Sequence, residues 1–198
     1  MSDSLVLVPA ETALVVIDLQ RGILKMPVAP HAAGDVLARM AQLAAAFRAA
    51  GAPVVLVRVA FARDGADVLT QPRDTMMTAA REPGWDELAP ELGANPGDIL
   101  ITKHQWGAFY GTELDLQLRR RGIRTIVIGG ISTNFGVEST ARDAFERGYS
   151  LVFAEDAMAG ISSEAHAFAC QTIFPRLGRV RDTHAVLTAL RTGAAGPF

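Results

Sequence analysis

The chain has 198 residues, 49% hydrophobic and 20% charged, with a net charge of -2. That is enough apolar material for one sizeable core in one domain spanning 1–198, and the near-neutral charge gives no footprint for nucleic acid. One cysteine, Cys170, excludes an internal disulfide and fits a reducing, cytoplasmic setting.

The first apolar run, Leu5 to Ile17, is broken by Pro9, Glu11 and Thr12 and closed by Asp18. It falls short of the roughly 20 residues a membrane span needs and has no basic segment before it, so we expect neither export signal nor anchor. Within it, 13–17 reads as a strand. A helical pattern over 34–50 follows, then a strand at 53–59, a strand at 98–102, a helix at 113–121 and a strand at 125–128. The rhythm continues with a helix at 137–147, a strand at 150–154, a helix at 164–173, a short strand around Val180 and a helix at 184–190. Evenly apolar strands alternating with amphipathic helices predict an α/β fold with a parallel sheet covered on both faces. Gly51, Gly122 and Gly148 stand where helices should stop. The segment 60–97, with Pro72, Pro83, Pro90 and Pro96, breaks the rhythm; only a short helix over 85–92 is expected there, and the rest reads as a lid, site wall or subunit contact. The tail 193–198 is expected to be loose.

In a parallel sheet, ligands collect beyond the carboxyl ends of the strands. Asp18, Lys103 and the stretch Ser132 to Gly136 fall at such ends. Asp18 could instead be a turn or helix-cap residue, and Lys103 a solvated strand end. Gln20 lies next to Asp18; Trp106, Phe109 and Tyr110 follow Lys103 and could wall an apolar pocket or simply fill the core. The turn at 129–136 has glycines before a helix but neither the G-x-G-x-x-G order nor a P-loop, which argues against a nucleotide. His31, His104, His166 and His184 are scattered, and no pair has the spacing of a helical metal site. Cys170, inside a predicted helix, reads as a buried structural thiol.

Three stretches together, VVIDLQ at 15–20, ITKHQWGAFYGTELDLQLRRRGI at 101–123 and GGISTNFGVESTARDAFERGYSLVFAEDA at 129–157, resemble the isochorismatase-like hydrolase superfamily from about residue 11 to about residue 190. The resemblance implies a three-layer α/β/α sandwich around a six-stranded parallel, Rossmann-like sheet, assembled as a homo-oligomer (dimer or tetramer). Amide-hydrolysing members use an aspartate, a lysine and a cysteine nucleophile. These map onto Asp18, Lys103 and Gly136, so the nucleophile is missing. The resemblance also implies a cis peptide at Ile131-Ser132 that turns the Ser132 and Gly136 N–H groups toward the substrate. We expect Ser132, Thr133, Asn134 and Phe135 beside the substrate along with Gln20, Trp106 and Phe109.

The nicotinamidase branch carries an Asp and histidine metal site after the second strand. Here that place reads Val57-Arg58-Val59-Ala60-Phe61, so no metal and no other cofactor is expected. True isochorismatases also have glycine at the nucleophile position and protonate a vinyl ether, but their Tyr-Ala-His type of loop is replaced here by Ser132-Thr133-Asn134-Phe135. The resulting expectation is a hydrolase of a small molecule acting through Asp18 and Lys103, acid-assisted or water-mediated. The alternative is a non-catalytic oligomeric binding protein that retains the pocket.

Overall fold

The computed structural model describes residues 5–75 and 82–195. Six parallel strands form one sheet in the order β3-β2-β1-β4-β5-β6, with β1 at Thr12–Ile17, β2 at Val54–Val59, β3 at Ile99–Lys103, β4 at Thr125–Ile131, β5 at Ser150–Ala159 and β6 at Arg179–Arg181. The chain builds outward from β1 to one edge, then returns to β4 and builds to the other. A crevice therefore opens between the ends of β1 and β4, the place where such sheets bind ligands.

Period-two alternation divides the core. Leu14, Val16, Leu56, Val127 and Val152 point to one face, where α2 (Ala33–Ala49) supplies Val36, Met40, Leu43 and Phe47 and α7 (Thr183–Ala195) supplies Val186 and Leu190. Val15, Ile17, Val57, Ile126 and Ile128 point to the other, against Leu114 and Leu118 of α3 (Leu114–Arg120), Ala141 and Ala144 of α4 (Glu138–Glu146), and Phe174. Phe174 stacks on Phe153 with ring centroids 4.1 Å apart. Each such side chain contributes about 1.5–3 kcal/mol of burial, and all six residues of β1 are buried, which fixes β1 as the sheet's centre.

The sequence elements appear in their expected order, with instructive differences. β4 extends through Gly129 and Gly130 to Ile131. Gly130 has φ +123°, and a Cβ there would lie 2.1 Å from the Ile17 carbonyl oxygen, so only glycine lets β4 pass the end of β1. β5 is twice the expected length: a bulge between the Ile128 and Gly130 pairings runs from Phe153 to Met158 and carries Glu155 and Asp156 outward before the strand resumes. Asp156 then accepts bonds from Thr183 N and Oγ1 at 2.7 and 2.8 Å, tying the start of α7 to the bulge.

The helix expected over 164–173 is instead α5 (Ser163–Phe168), a π-helical turn at Ala169–Ile173 and α6 (Phe174–Leu177). Pro175 offers no N–H for an i to i−4 bond, which accounts for the widened turn before it. The short helix expected over 85–92 is only a 3₁₀ turn at Pro90–Leu92. Its backbone is used elsewhere: Arg21 N donates to Glu87 O, and Ala89 N donates to Leu19 O. Those bonds hold α1 (Arg21–Leu24) and the residues after β1 in place. Part of the expected irregular segment, 76–81, and residues 196–198 of the expected loose tail lie outside the described residues; 193–195 belong to α7. No described helix is long and apolar enough to cross a membrane.

Candidate active site

Asp18 leaves β1 with φ +53°, the one positive φ among the described non-glycine residues. Such a conformation costs on the order of 1–3 kcal/mol and persists where neighbours enforce it. Its N–H donates to Val57 O at 3.0 Å, and its own carbonyl accepts from Gln20 N at 2.9 Å. Gln20 completes the brace: its Nε2 donates to Val59 O at 2.9 Å, and its Oε1 accepts from Val59 N at 2.7 Å. Expected to meet substrate, Gln20 is fully buried with both ends of its amide engaged by the end of β2, and it holds the backbone on which Asp18 sits.

Lys103 is the last residue of β3, opposite Val59, and is 2% exposed. Its Nζ donates to Asp18 Oδ2 at 2.6 Å and to Gln105 O at 3.1 Å. The buried pair thus joins residues 85 positions apart in sequence. Among the described residues, Asp18 Oδ1 has no hydrogen-bond partner although it is buried. An orphaned buried acceptor costs about 1–3 kcal/mol, a cost removed when that oxygen accepts a hydrogen bond from a bound molecule. Burial pushes the Asp18 carboxyl up to about 6, against the pull of Lys103 in the opposite direction.

Gly136 closes the third side. It lies in a π-helical turn at Thr133–Val137 that runs into α4. A Cβ built on it would lie 3.1 Å from Asp18 Oδ2 and 3.6 Å from Lys103 Nζ, so position 136 is aimed at the pair. The same Cβ would come within 2.9 Å of Ile17 Cγ2, leaving little spare room. The Ile131-Ser132 peptide is cis. Thr140 Oγ1 donates to Gly136 O at 2.6 Å and accepts from Ala108 N at 3.1 Å, which ties the turn to the segment following Lys103.

The other expected residues divide. Phe135 and Trp106 pack together with centroids 4.7 Å apart, and Trp106 is 55% exposed, as suits a rim. Phe109, expected to wall the pocket, is buried in the core against Tyr149 at 5.9 Å, with the Arg147 guanidinium over its ring. Ser132 and Asn134 are half-buried and bond each other, Oγ to Oδ1, at 3.3 Å. Thr133 is buried and turned away: its Oγ1 lies 2.9 Å from His166 Nδ1. Phe61, stacked on Trp85 at 6.2 Å and tilted against His104, adds aromatic surface beside the end of β3 that sequence reasoning passed over.

Sequence reasoning also missed a polar group on the far side of the turn. His31, Glu155 and His166, treated as scattered, offer ligand atoms that all lie within 4.8 Å of one another. Burial raises the Glu155 carboxyl, but hydrogen bonds from His166 and His31 outweigh it and hold the group below its ordinary value. Burial and the Glu155 charge push the neighbouring Cys170 thiol up to about 12, so it stays protonated and unreactive.

Residues 12–185 match the isochorismatase domain family. The chain is 55% identical over 180 residues to YecD, an uncharacterized isochorismatase family protein of Escherichia coli O157:H7, covering 90% of this chain and 96% of that one. It is 34% identical over 214 residues to the ureidoacrylate amidohydrolase RutB of Methylobacterium radiotolerans, covering 96% and 83%. The solved structure of an isochorismatase family protein from Burkholderia thailandensis superposes with a TM-score of 0.92 at 48% identity, covering 96% of this chain and all of the other.

Proposed function

Since the chain belongs to the isochorismatase family, we propose that it hydrolyses a small molecule through Asp18 and Lys103, with Gly136 in place of a cysteine nucleophile. The observation that carries this reading is the buried Asp18–Lys103 pair, 2.6 Å apart, with Asp18 Oδ1 left without a partner beside Gly136. A carboxyl raised to about 6 is present in both protonation states near neutrality, as proton transfer in either direction requires.

With no side chain at 136, no covalent intermediate forms there. Two routes remain. In its carboxylate form, Asp18 accepts the proton of a water attacking a carbonyl; in its acid form, it donates a proton to the bond that breaks. Lys103 holds Oδ2 in position and carries the opposing charge, while the Ser132 and Gly136 N–H groups offer a place for negative charge at the start of α4. Trp106 and Phe135 give an apolar edge suited to a compact substrate. The name of one relative, ureidoacrylate amidohydrolase, directs attention to ureido and amide compounds first.

Turnover of a panel of small amides, ureido acids and vinyl ethers tests the proposal. For any compound converted, Asp18→Asn and Lys103→Ala should each lower kcat/KM by on the order of 100-fold or more. Unchanged turnover in both variants would overturn the assignment. Saturable binding without conversion by the wild-type chain across the panel would favour a binding protein that kept the pocket.

A further inference from the structure

The second polar group is built from three separate parts of the chain. His31 sits in the connection before α2, which is pinned to the end of β5 by Ala29 N to Gly160 O at 3.0 Å and Gly160 N to Ala29 O at 2.8 Å. Glu155 is turned outward by the β5 bulge. His166 lies on α5 and is 3% exposed. Both imidazoles converge on a single carboxylate oxygen: His166 Nε2 lies 2.9 Å and His31 Nε2 3.4 Å from Glu155 Oε1. The rings stand nearly perpendicular, at 86°, with centroids 5.7 Å apart. Beside them a cleft of about 420 Å³ runs past Pro30, Ser163, Cys170 and Gln171.

We propose that His31, Glu155 and His166 form a binding site for a divalent metal ion of the zinc class, with a further coordination position open to the cleft. Two imidazoles and one carboxylate are a common donor set for such ions. With bonds of about 2.0–2.1 Å, tetrahedral donors lie roughly 3.3 Å from one another. The Glu155 to His31 separation already meets that spacing, the Glu155 to His166 separation needs to widen slightly, and the two histidines need to draw together from at most 4.8 Å.

His166 has the outer partner that a metal-bound imidazole requires. Its Nδ1 lies 2.9 Å from Thr133 Oγ1, an oxygen placed to accept an Nδ1–H once Nε2 exchanges its proton for the metal. Cys170 Sγ, 3.5 Å from His166 Nε2, belongs to the cleft rather than to the three donors. The expectation of no metal rested on the missing cluster after β2 and on the distance between histidines in sequence. It did not reach a site that the fold assembles from residues 31, 155 and 166. The inference is independent of the hydrolase reading, since no part of it requires Asp18 or Lys103.

The test uses the full chain, stripped with chelator and exchanged into metal-free buffer. Titration calorimetry with zinc should give one ion per chain, and zinc should raise the thermal midpoint. His31→Ala and Glu155→Gln should each weaken binding by on the order of 10-fold or more, while removing the exposed His104 and His184 together should leave it unchanged. Cobalt(II) should show the visible bands of a low-coordinate nitrogen and oxygen site in wild type and lose them in His31→Ala, with circular dichroism confirming that each variant is folded. No stoichiometric zinc, or equal zinc affinity in folded His31→Ala and Glu155→Gln, would overturn the site.

Discussion

Replacing Gly136 by alanine tests the packing around the Asp18–Lys103 pair. The added methyl would lie 2.9 Å from Ile17 Cγ2 and 3.1 Å from Asp18 Oδ2. Ile17 is fully buried in the central strand and cannot swing into solvent, so the turn or the strand end must give way. Overpacking of this kind costs about 1–3 kcal/mol. Gly136 has no left-handed φ, so alanine also gains about 0.4–1 kcal/mol from a stiffer unfolded chain. The net expectation is a loss centred on about 1.3 kcal/mol, which for a chain of this size lowers the thermal midpoint by roughly 3–5 °C. Gly34→Ala is the matched control: a Cβ there meets nothing within 4 Å, and the position lies in α2, so that variant should be as stable as wild type or slightly more so. Urea denaturation and thermal melts of the three proteins provide the measurement. Equal stability of Gly136→Ala and wild type would refute the close approach of position 136 to the pair.

Two further predictions concern the same corner. Because the Asp18 carboxyl is raised from 3.8 to about 6, the folded chain keeps a proton that the unfolded chain loses across that window. The contribution is fully present below 3.8 and is lost as pH rises through 6, a fall of about 3 kcal/mol. Urea denaturation across this range should show that fall in wild type minus Asp18→Asn, and a difference that is flat or rises with pH would contradict it. Gln20→Ala removes both bonds to Val59 and should cost about 2–4 kcal/mol in the same assay, whereas a loss under about 0.5 kcal/mol would mean that the brace carries no weight.

Much of the architecture was legible because strands buried on both faces have to be apolar, and β1, β2 and β4 are, apart from Thr12, Thr125 and the half-buried Arg58 near the end of β2. What the sequence hid was interruption. Glu155 and Asp156 resemble the end of β5, yet they occupy a bulge after which the strand resumes, and Pro175 acts on the turn before it rather than ending the helix at once. At the site, Asp18 and Lys103 were legible because each ends a strand, and parallel topology brings strand ends to one rim. Gln20 and Phe109, expected beside the substrate, lie elsewhere because neighbours in sequence point to different places. Gln20 turns to the backbone of β2, and Phe109 turns into the core against Tyr149. The His31, Glu155 and His166 group had no local signal, since His31 and Glu155 are 124 positions apart and tertiary links such as the bridge from Ala29 to Gly160 draw them together.

The most direct measurement of the central claim is a carbon-13 NMR titration of the aspartate side-chain carboxyls in the wild-type chain, with Asp18→Asn supplying the assignment. The account predicts that the resonance lost in that variant titrates near 6, well above the ordinary aspartate value of 3.8. A resonance assigned to Asp18 that titrates at or below 3.8 would show a carboxylate dominated by Lys103, held permanently charged and unable to exchange a proton with substrate near neutrality.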